Sequence, residues 1–579
     1  MNKIVNINCM KKIYIVMAAM ALSAGLFAQT QDSLLRRQLE LERDFNPTLL
    51  DADKINSLPA LREPVVQKAN TNYSTWAGRI TPPLEIALPR PAGIMTDIPF
   101  NLKKGYLSFH AGNYANIDGA FGYRLVDQPK HNLAFTFLHN STNGDINYVQ
   151  ENSDPAVNTA YFMDNLGKLA YKHDADAMLL NMYLSYLNSG FNYYGNSFEH
   201  ERYFDNEKQR LGVFSVHLGL TSKESDRLNY RGSLDFRNFA TKFGYDLNGD
   251  PIKGNQLNLT AGFDKPFRNI NTKVGVDGSL FTTGYSNNYD NYFLINAAPY
   301  ILFGGLNRSA RLGVDVLFQD ADKIRVRVVP NVKLHLGLTE KTSLYANIHG
   351  GFQHNTFLDM MNESRYFLHD ASVKPAFSIV DIDGGVKIGE ANGLRIDLFG
   401  GFRKTDDAHF LIRHGEEMTG GNGLGEFREV LSPVYGDLTH SHIGGLIQSN
   451  VWSPLDLSLR LKKNFYDVTN MTIDGVDVSN PKAYNQPGFE VDMRASLDII
   501  QGLKFTLNYY FAGERWSNYQ GIEREMDAIN DLNLGGVYEI SDAFSLSLRV
   551  NNLLSQKYDI WYGHPAQGLN VSGGFSFKF

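Results

Sequence analysis

A chain of 579 residues, with 20% charged residues, 12% aromatic residues and a formal net charge of -7, has room for several soluble domains or one large barrel. The negative net charge argues against a nucleic-acid partner. No stretch after residue 30 holds ~20 consecutive apolar residues, which excludes a helical membrane span. A β-barrel stays compatible with this composition, because only alternate residues of its strands face lipid.

The first 28 residues have the pattern of a secretory signal peptide. Met10, Lys11 and Lys12 form a basic start, 13–28 is apolar, and the expected cut lies between Ala28 and Gln29. Translation starts at either Met1 or Met10. The one cysteine, Cys9, precedes the apolar run, so the exported protein needs neither a disulfide nor a thiolate metal site.

Residues 29–104 are rich in proline and have little pattern of their own. Eight of the chain's 20 prolines lie here: Pro47, Pro59, Pro64, Pro82, Pro83, Pro89, Pro91 and Pro99. Proline fixes φ and removes a backbone donor, so long helices and central strands are excluded. Because apolar residues are frequent, we expect an extended segment that docks in a barrel lumen or holds a periplasmic or outer-membrane protein partner. A disordered linker is the alternative.

The clearest strand pattern lies at 324–338. Apolar side chains occupy every second position, while Arg325, Arg327 and Lys333 are among the alternating polar ones. At ~3.3 Å per residue the stretch spans about 50 Å, which exceeds the usual strand of a soluble sheet. It suits a tilted membrane strand that continues beyond an apolar band ~25 Å tall. Residues 455–461, 503–511 and 544–550 repeat the alternation.

Short and long connections alternate between these strands. Short breaks fall near 127–130, 173–176, 222–225, 266–269, 305–308, 339–341, 389–393, 453–455, 500–502 and 541–543. Longer polar loops are predicted at 143–160, 190–207, 241–253, 283–290, 353–371, 406–436, 469–486, 515–528 and 558–567. The pattern predicts an all-β fold: a transmembrane antiparallel β-barrel of about 22 strands over 105–579, in contact with outer-membrane lipid. A soluble β-propeller, the main alternative, needs a recurring signature every ~40–50 residues, which the sequence lacks.

The polar strand faces should line the lumen of such a barrel. Five basic residues are the candidates for lumen-facing positions: Arg325, Arg327, Lys333, Arg460 and Lys462. A ring of basic groups favours anionic solutes. The alternative, which we prefer, is that these charges pair with acids on neighbouring strands.

The last strand alternates strictly up to Phe579 and should close the barrel by pairing with the first strand near Tyr106. Its outward face is formed by Leu569, Val571, Phe575, Phe577 and Phe579.

The stretches 550–558 and 561–568 precede that strand. They resemble the end of TonB-dependent receptors, where an Asn-Leu-Phe-x-x-x-Tyr turn precedes an aromatic, proline and Gly-Arg element. Leu554 stands here for the usual Phe, and Leu569 for the usual Arg. The resemblance implies a 22-stranded receptor barrel. That family also carries a plug domain and a TonB-binding box, and we find neither in residues 29–104.

Three further clusters are weaker. Residues 246–250 begin like a calcium loop, but Pro251 replaces the required glycine, so we expect a polar loop. His440 and His442 share a strand face and are too few for a metal site. The acids Glu416, Glu417 and Glu426 lie in a predicted loop without fixed geometry. We therefore expect no metal site, no cofactor and no enzymatic activity.

The sequence thus predicts an outer-membrane, TonB-dependent-receptor-like barrel that transports or binds an unknown solute. The alternative is a non-transporting assembly barrel that docks a partner through residues 29–104.

Overall fold

The computed structural model describes residues 103–149, 157–194, 208–223, 227–244, 250–267, 269–286, 289–305, 307–321, 324–367, 373–390, 393–419, 425–519 and 521–579. The predicted signal peptide, the proline-rich segment up to residue 102 and most of the calcium-like loop lie outside the described residues. So do the side chains of Glu416, Glu417 and Glu426.

The described residues form a closed antiparallel barrel of 22 strands, which confirms the predicted fold. The strands are β1 (Gly105–Gly112), β2 (Ile117–Asp127), β3 (His131–Asn147), β4 (Val157–Asp174), β5 (Met178–Phe191), β6 (Gln209–Ser222), β7 (Asn229–Thr241), β8 (Lys253–Phe267), β9 (Asn269–Tyr285), β10 (Phe293–Gly304), β11 (Arg308–Asp320), β12 (Ile324–Thr339), β13 (Thr342–Gln353), β14 (Ala376–Gly389), β15 (Leu394–Thr419), β16 (Gly425–Ser449), β17 (Leu455–Thr469), β18 (Phe489–Ile500), β19 (Leu503–Gly513), β20 (Ile529–Glu539), β21 (Phe544–Asn551) and β22 (Asn570–Lys578).

Smaller elements lie in the connections. A helix spans Phe357–Glu363, and short hairpins pair Thr472–Ile473 with Val476–Asp477, Arg515–Tyr519 with Ile522–Met526, and Asp559–Trp561 with His564–Pro565. None of the described helices is long and apolar enough to cross a membrane.

The barrel closes where β22 pairs with β1. Tyr106 lies opposite Lys578, and Phe109 lies opposite Phe575. Val571 and Phe577 of the closing strand are exposed, as are Leu569 just before it and Phe579 just after it. The ladder leaves no open edge, as a membrane-spanning sheet requires.

The two faces of the strands differ as a barrel in lipid requires. On β12 the apolar Ile324, Val326 and Val328 are 61%, 65% and 64% exposed, while the alternating residues are less accessible. The side chain of Arg549 on β21 reaches Asp118 on β2, across two intervening strands, at 3.7 Å. Side chains of non-adjacent strands can meet only on the concave side, so Arg549 and Asp118 lie on the lumen side of the barrel.

The connections divide the barrel into two ends. The predicted short breaks all fall between consecutive strands at one end of the barrel, the turn end, where β1 begins and β22 ends. The longer connections lie at the other, the loop end. The prediction of a polar loop at 406–436 is wrong. β15 continues up to Thr419 and β16 begins at Gly425, and the two strands pair as a long hairpin.

Candidate functional site

Three chain segments at the loop end of the barrel form a lid in the described structure. We define the lid as 355–367 between β13 and β14, the upper hairpin 407–413 with 430–436, and 559–565 before β22. The first two begin at neighbouring strand pairs, whereas the third begins at the other side of the strand order. Contacts of the third segment with the first two therefore cross the mouth.

The lid helix, Phe357–Glu363, starts at a capping box. The side chain of Thr356 accepts a hydrogen bond from the Asp359 amide at 3.1 Å, and the Asp359 carboxylate accepts one from the Thr356 amide at 2.9 Å. This pairing satisfies donors that a helix start otherwise leaves open. It fixes a very short helix whose apolar residues are all buried: Phe357, Leu358, Met360 and Met361.

A buried apolar cluster, the lid core, joins this helix to the barrel wall and to the other lid segments. Phe357 stacks on Phe239 of β7 at 5.2 Å between ring centroids and meets the edge of Phe367 at 6.0 Å. Leu411 and Leu431 of the upper hairpin and Trp561 before β22 complete it. Burying several large side chains at roughly 1.5–3 kcal/mol each makes the closed lid a stable arrangement.

The upper hairpin is buried on both of its faces. Leu411 points into the lid core, while its neighbours Phe410 and Ile412 belong to a second apolar cluster with Met471 and Tyr484. A strand covered on both faces carries a continuous apolar run rather than an alternating one. The run Phe410–Ile412 was the signal that this stretch is not a solvated loop.

Polar contacts fasten the lid to the wall. Arg365 donates to the Asp164 carboxylate of β4 at 3.1 Å, and Ser189 of β5 donates to the same carboxylate. His409 of the hairpin lies 2.6 Å from the Glu363 carboxylate at the end of the helix. These pairs connect the lid segments with one another and with β4.

A ring stack joins the last lid segment to the others. Tyr366 stacks on His564 at 4.5 Å, and the Tyr194 hydroxyl donates to the Pro565 carbonyl at 3.0 Å. Burial raises the pKa of Tyr194 well above its ordinary value, so the phenol stays protonated and remains a donor. Sequence reasoning pointed to none of these side chains.

The five predicted lumen-facing residues lie on two separate strands. Arg325, Arg327 and Lys333 are on β12, while Arg460 and Lys462 are on β17, so they do not form a single site. Arg327 lies 3.9 Å from Asp406 and 3.8 Å above the Phe377 ring.

Lys462 is 3.9 Å from the Glu490 carboxylate, and Arg460 lies 5.3 Å above the Phe399 ring. Lys333 lies opposite Arg311 in the β11–β12 ladder. His440 and His442 lie side by side with ring centroids 5.4 Å apart. Within the described chain no group of three His, Cys, Asp or Glu side chains is arranged to hold a metal ion.

The stretch that carries the family resemblance fastens the seam of the barrel. Asn552, at a φ of 47°, donates to the Gln556 and Gln567 carbonyls at 2.9 and 3.0 Å. The Gln567 side chain then donates to Thr142 of β3 at 2.7 Å and accepts from Asn116 at 2.9 Å. This amide network links the segment before β22 to the first three strands.

A closed 22-stranded barrel with an apolar outer belt and a charged lumen defines an outer-membrane β-barrel. No protein-family model matches the chain. No curated protein sequence matches it either.

Solved structures of receptors match it in fold. The siderophore receptor PirA from Acinetobacter baumannii superposes with a TM-score of 0.61 at 11% identity, over 83% of this chain and 81% of that chain. A mutant of the ferric enterobactin receptor PfeA from Pseudomonas aeruginosa gives 0.58 at 12% identity, over 82% and 80%. The copper transporter OprC gives 0.58 at 12%, also over 82% and 80%. The chain thus shares its barrel fold with these proteins, as its last strands predict.

Proposed function

We propose that this chain is an outer-membrane receptor-like barrel that binds a solute and passes it through its lumen, with the lid as its outer gate. The observation that carries the proposal is the lid core, which joins β7, the lid helix, the upper hairpin and residue 561 across the mouth. The fold shared with siderophore and copper receptors is consistent with transport.

A barrel of this size needs a closure. Twenty-two strands enclose a lumen wide enough to leak small solutes if nothing fills it. A lid built from connections opens without breaking the barrel ladder, because the contacts between its segments, including the backbone hydrogen bond from the Leu431 amide to the Tyr366 carbonyl, lie outside that ladder. That property favours a gate over a permanent cap.

Conductance of the purified full-length chain in planar bilayers tests the gate. Phe357→Asp places a charge in the lid core, where Phe357 is 0% exposed, and should raise conductance several-fold over the wild type. Ile522→Asp, at a loop tip that is 55% exposed, is the matched control and should leave conductance unchanged. A Phe357→Asp protein that folds, as judged by heat-modifiable migration, but carries no current contradicts the transport role.

The proline-rich segment 29–104 is proposed to dock against the barrel or to hold a protein partner. Its junction with β1 lies at the turn end, near Lys103, whose ammonium donates to the Asp542 carbonyl at 2.5 Å. Deletion of residues 30–102 distinguishes two roles. When the deletion is made in the Phe357→Asp background, higher conductance than in Phe357→Asp alone indicates a plug, whereas unchanged conductance with loss of a co-purifying periplasmic protein favours the assembly function.

A further inference from the structure

Basic side chains on the inner wall lie against both an aromatic ring and a carboxylate. Arg311 of β11 donates to Asp277 of β9 at 2.8 Å, and its guanidinium lies 3.8 Å from the centre of the Tyr300 ring on β10. The carboxylate and the ring face both attract the cation. Arg311 is thus held flat on the wall and is 6% exposed.

The same arrangement recurs farther around the barrel. Lys387 of β14 lies 4.5 Å above the Tyr345 ring and 4.0 Å from the Asp397 carboxylate of β15. Arg327 of β12 has Phe377 and Asp406 as the corresponding ring and acid. Three cations on β11, β12 and β14 therefore share one surrounding.

Other wall charges are paired directly between strands. Arg403 donates to Asp381 at 2.7 Å, and Arg549 reaches Asp118 across the seam at 3.7 Å. A pore selects ions through rings of charge that are not neutralised locally. The field of a pair separated by 3–4 Å falls off within a few ångströms, well inside a Debye length of ~8 Å. Such a wall attracts neither anions nor cations strongly.

We propose that the lumen takes an uncharged, hydrogen-bonding solute rather than an anionic one; this proposal rests on the proposed transport role. The guanidinium edges, hydroxyls and amides of the wall still donate and accept hydrogen bonds, so a polar neutral solute finds partners there. Pairing of the charges removes the long-range attraction that an anion would need.

Ion selectivity and solute uptake of the full-length variant Phe357→Asp, in which the lid should be open, test the proposal. In a KCl gradient its chloride-to-potassium permeability ratio should be about 1. Liposomes containing it should admit glucose at least as fast as gluconate, which has similar size but carries a charge. A preference of several-fold for chloride or gluconate in this variant overturns the inference.

Removing one acid should create the selectivity that the wild-type wall lacks. Asp277→Asn, added to Phe357→Asp, removes the carboxylate to which Arg311 donates and should raise chloride preference several-fold. Asp397→Asn does the same for Lys387 and is the second variant if the first does not fold. Glu390→Gln, at an exposed pair with Lys341 in a turn, is the control and should change nothing. If neither Asp277→Asn nor Asp397→Asn changes the chloride-to-potassium selectivity, the inference is contradicted.

A second measurement separates this inference from the transport role. If Phe357→Asp carries no current, transport fails, and the wall is tested by thermal stability of the detergent-solubilised wild-type chain. Inorganic pyrophosphate should stabilise that chain no more than NaCl of equal ionic strength. Specific stabilisation by pyrophosphate would show an anion site and overturn the inference.

Discussion

Phe357→Ala should loosen the lid without unfolding the barrel. The ring of Phe357 is 0% exposed and contacts Phe239, Tyr289 and Phe367. Truncating a buried phenylalanine to alanine costs roughly 3–5 kcal/mol, because contacts are lost and a cavity remains. The strand ladder does not use this side chain, so the cost falls on local opening of the lid.

The change in the free energy of lid opening can be measured at one backbone amide. The Leu431 amide donates to the Tyr366 carbonyl at 2.9 Å, a hydrogen bond that joins the upper hairpin to segment 355–367. At about 1.4 kcal/mol per factor of ten, a loss of ~3 kcal/mol raises the opening constant about 100-fold. Hydrogen exchange of peptides that contain Leu431, followed by mass spectrometry in detergent, measures that increase.

Phe505→Ala is the matched control, since Phe505 is 43% exposed on the outer face of β19 and its loss leaves no cavity in the lid. Its exchange at Leu431 should equal that of the wild type. If exchange at Leu431 is the same in Phe357→Ala and Phe505→Ala, the lid core does not hold the mouth closed, and the gating argument fails.

Three further substitutions test the seam and the lid. Asn552→Ala leaves two carbonyls without their donor and strains a position with φ of 47°, so the temperature of the heat-modifiable shift should fall by the equivalent of roughly 1–3 kcal/mol. In Asn552→Gly this temperature should fall less, because glycine adopts a positive φ without strain. Gly563→Ala should destabilise the lid more than Gly475→Ala in thermal unfolding: both have positive φ, but only at Gly563 would the new Cβ lie 2.8 Å from Arg413 Nη1. Burial raises the pKa of Tyr484 to about 12 from an ordinary value of ~10, so the stability of the second apolar cluster should be constant below pH ~10 and decline as pH rises toward about 12. Tryptophan fluorescence should show this decline in the wild type but not in Tyr484→Phe. An identical decline in both proteins would contradict the prediction.

The alternation of apolar and polar residues was sufficient to predict the barrel. Each strand must present an apolar side chain to lipid at every second position, so apolar and polar residues alternate in stretches such as 324–338. The tight turns follow from the same pattern, because they interrupt it. Strand number and the pairing of β22 with β1 then follow from counting and closure.

The lid depended on contacts that no local pattern reveals. Residues 408–412 and 430–434, within the predicted loop 406–436, were not recognised as strands because burial on both faces removes the alternation by which strands are recognised. Asp164 and Arg365 are 201 positions apart, and only closure of the barrel brings them together. The same holds for the wall charges: each basic residue can be placed on the inner face from its strand, but its carboxylate partner is set by the register of neighbouring strands. Local period therefore encodes which face a residue takes, whereas the barrel's curvature and register decide which side chain it meets.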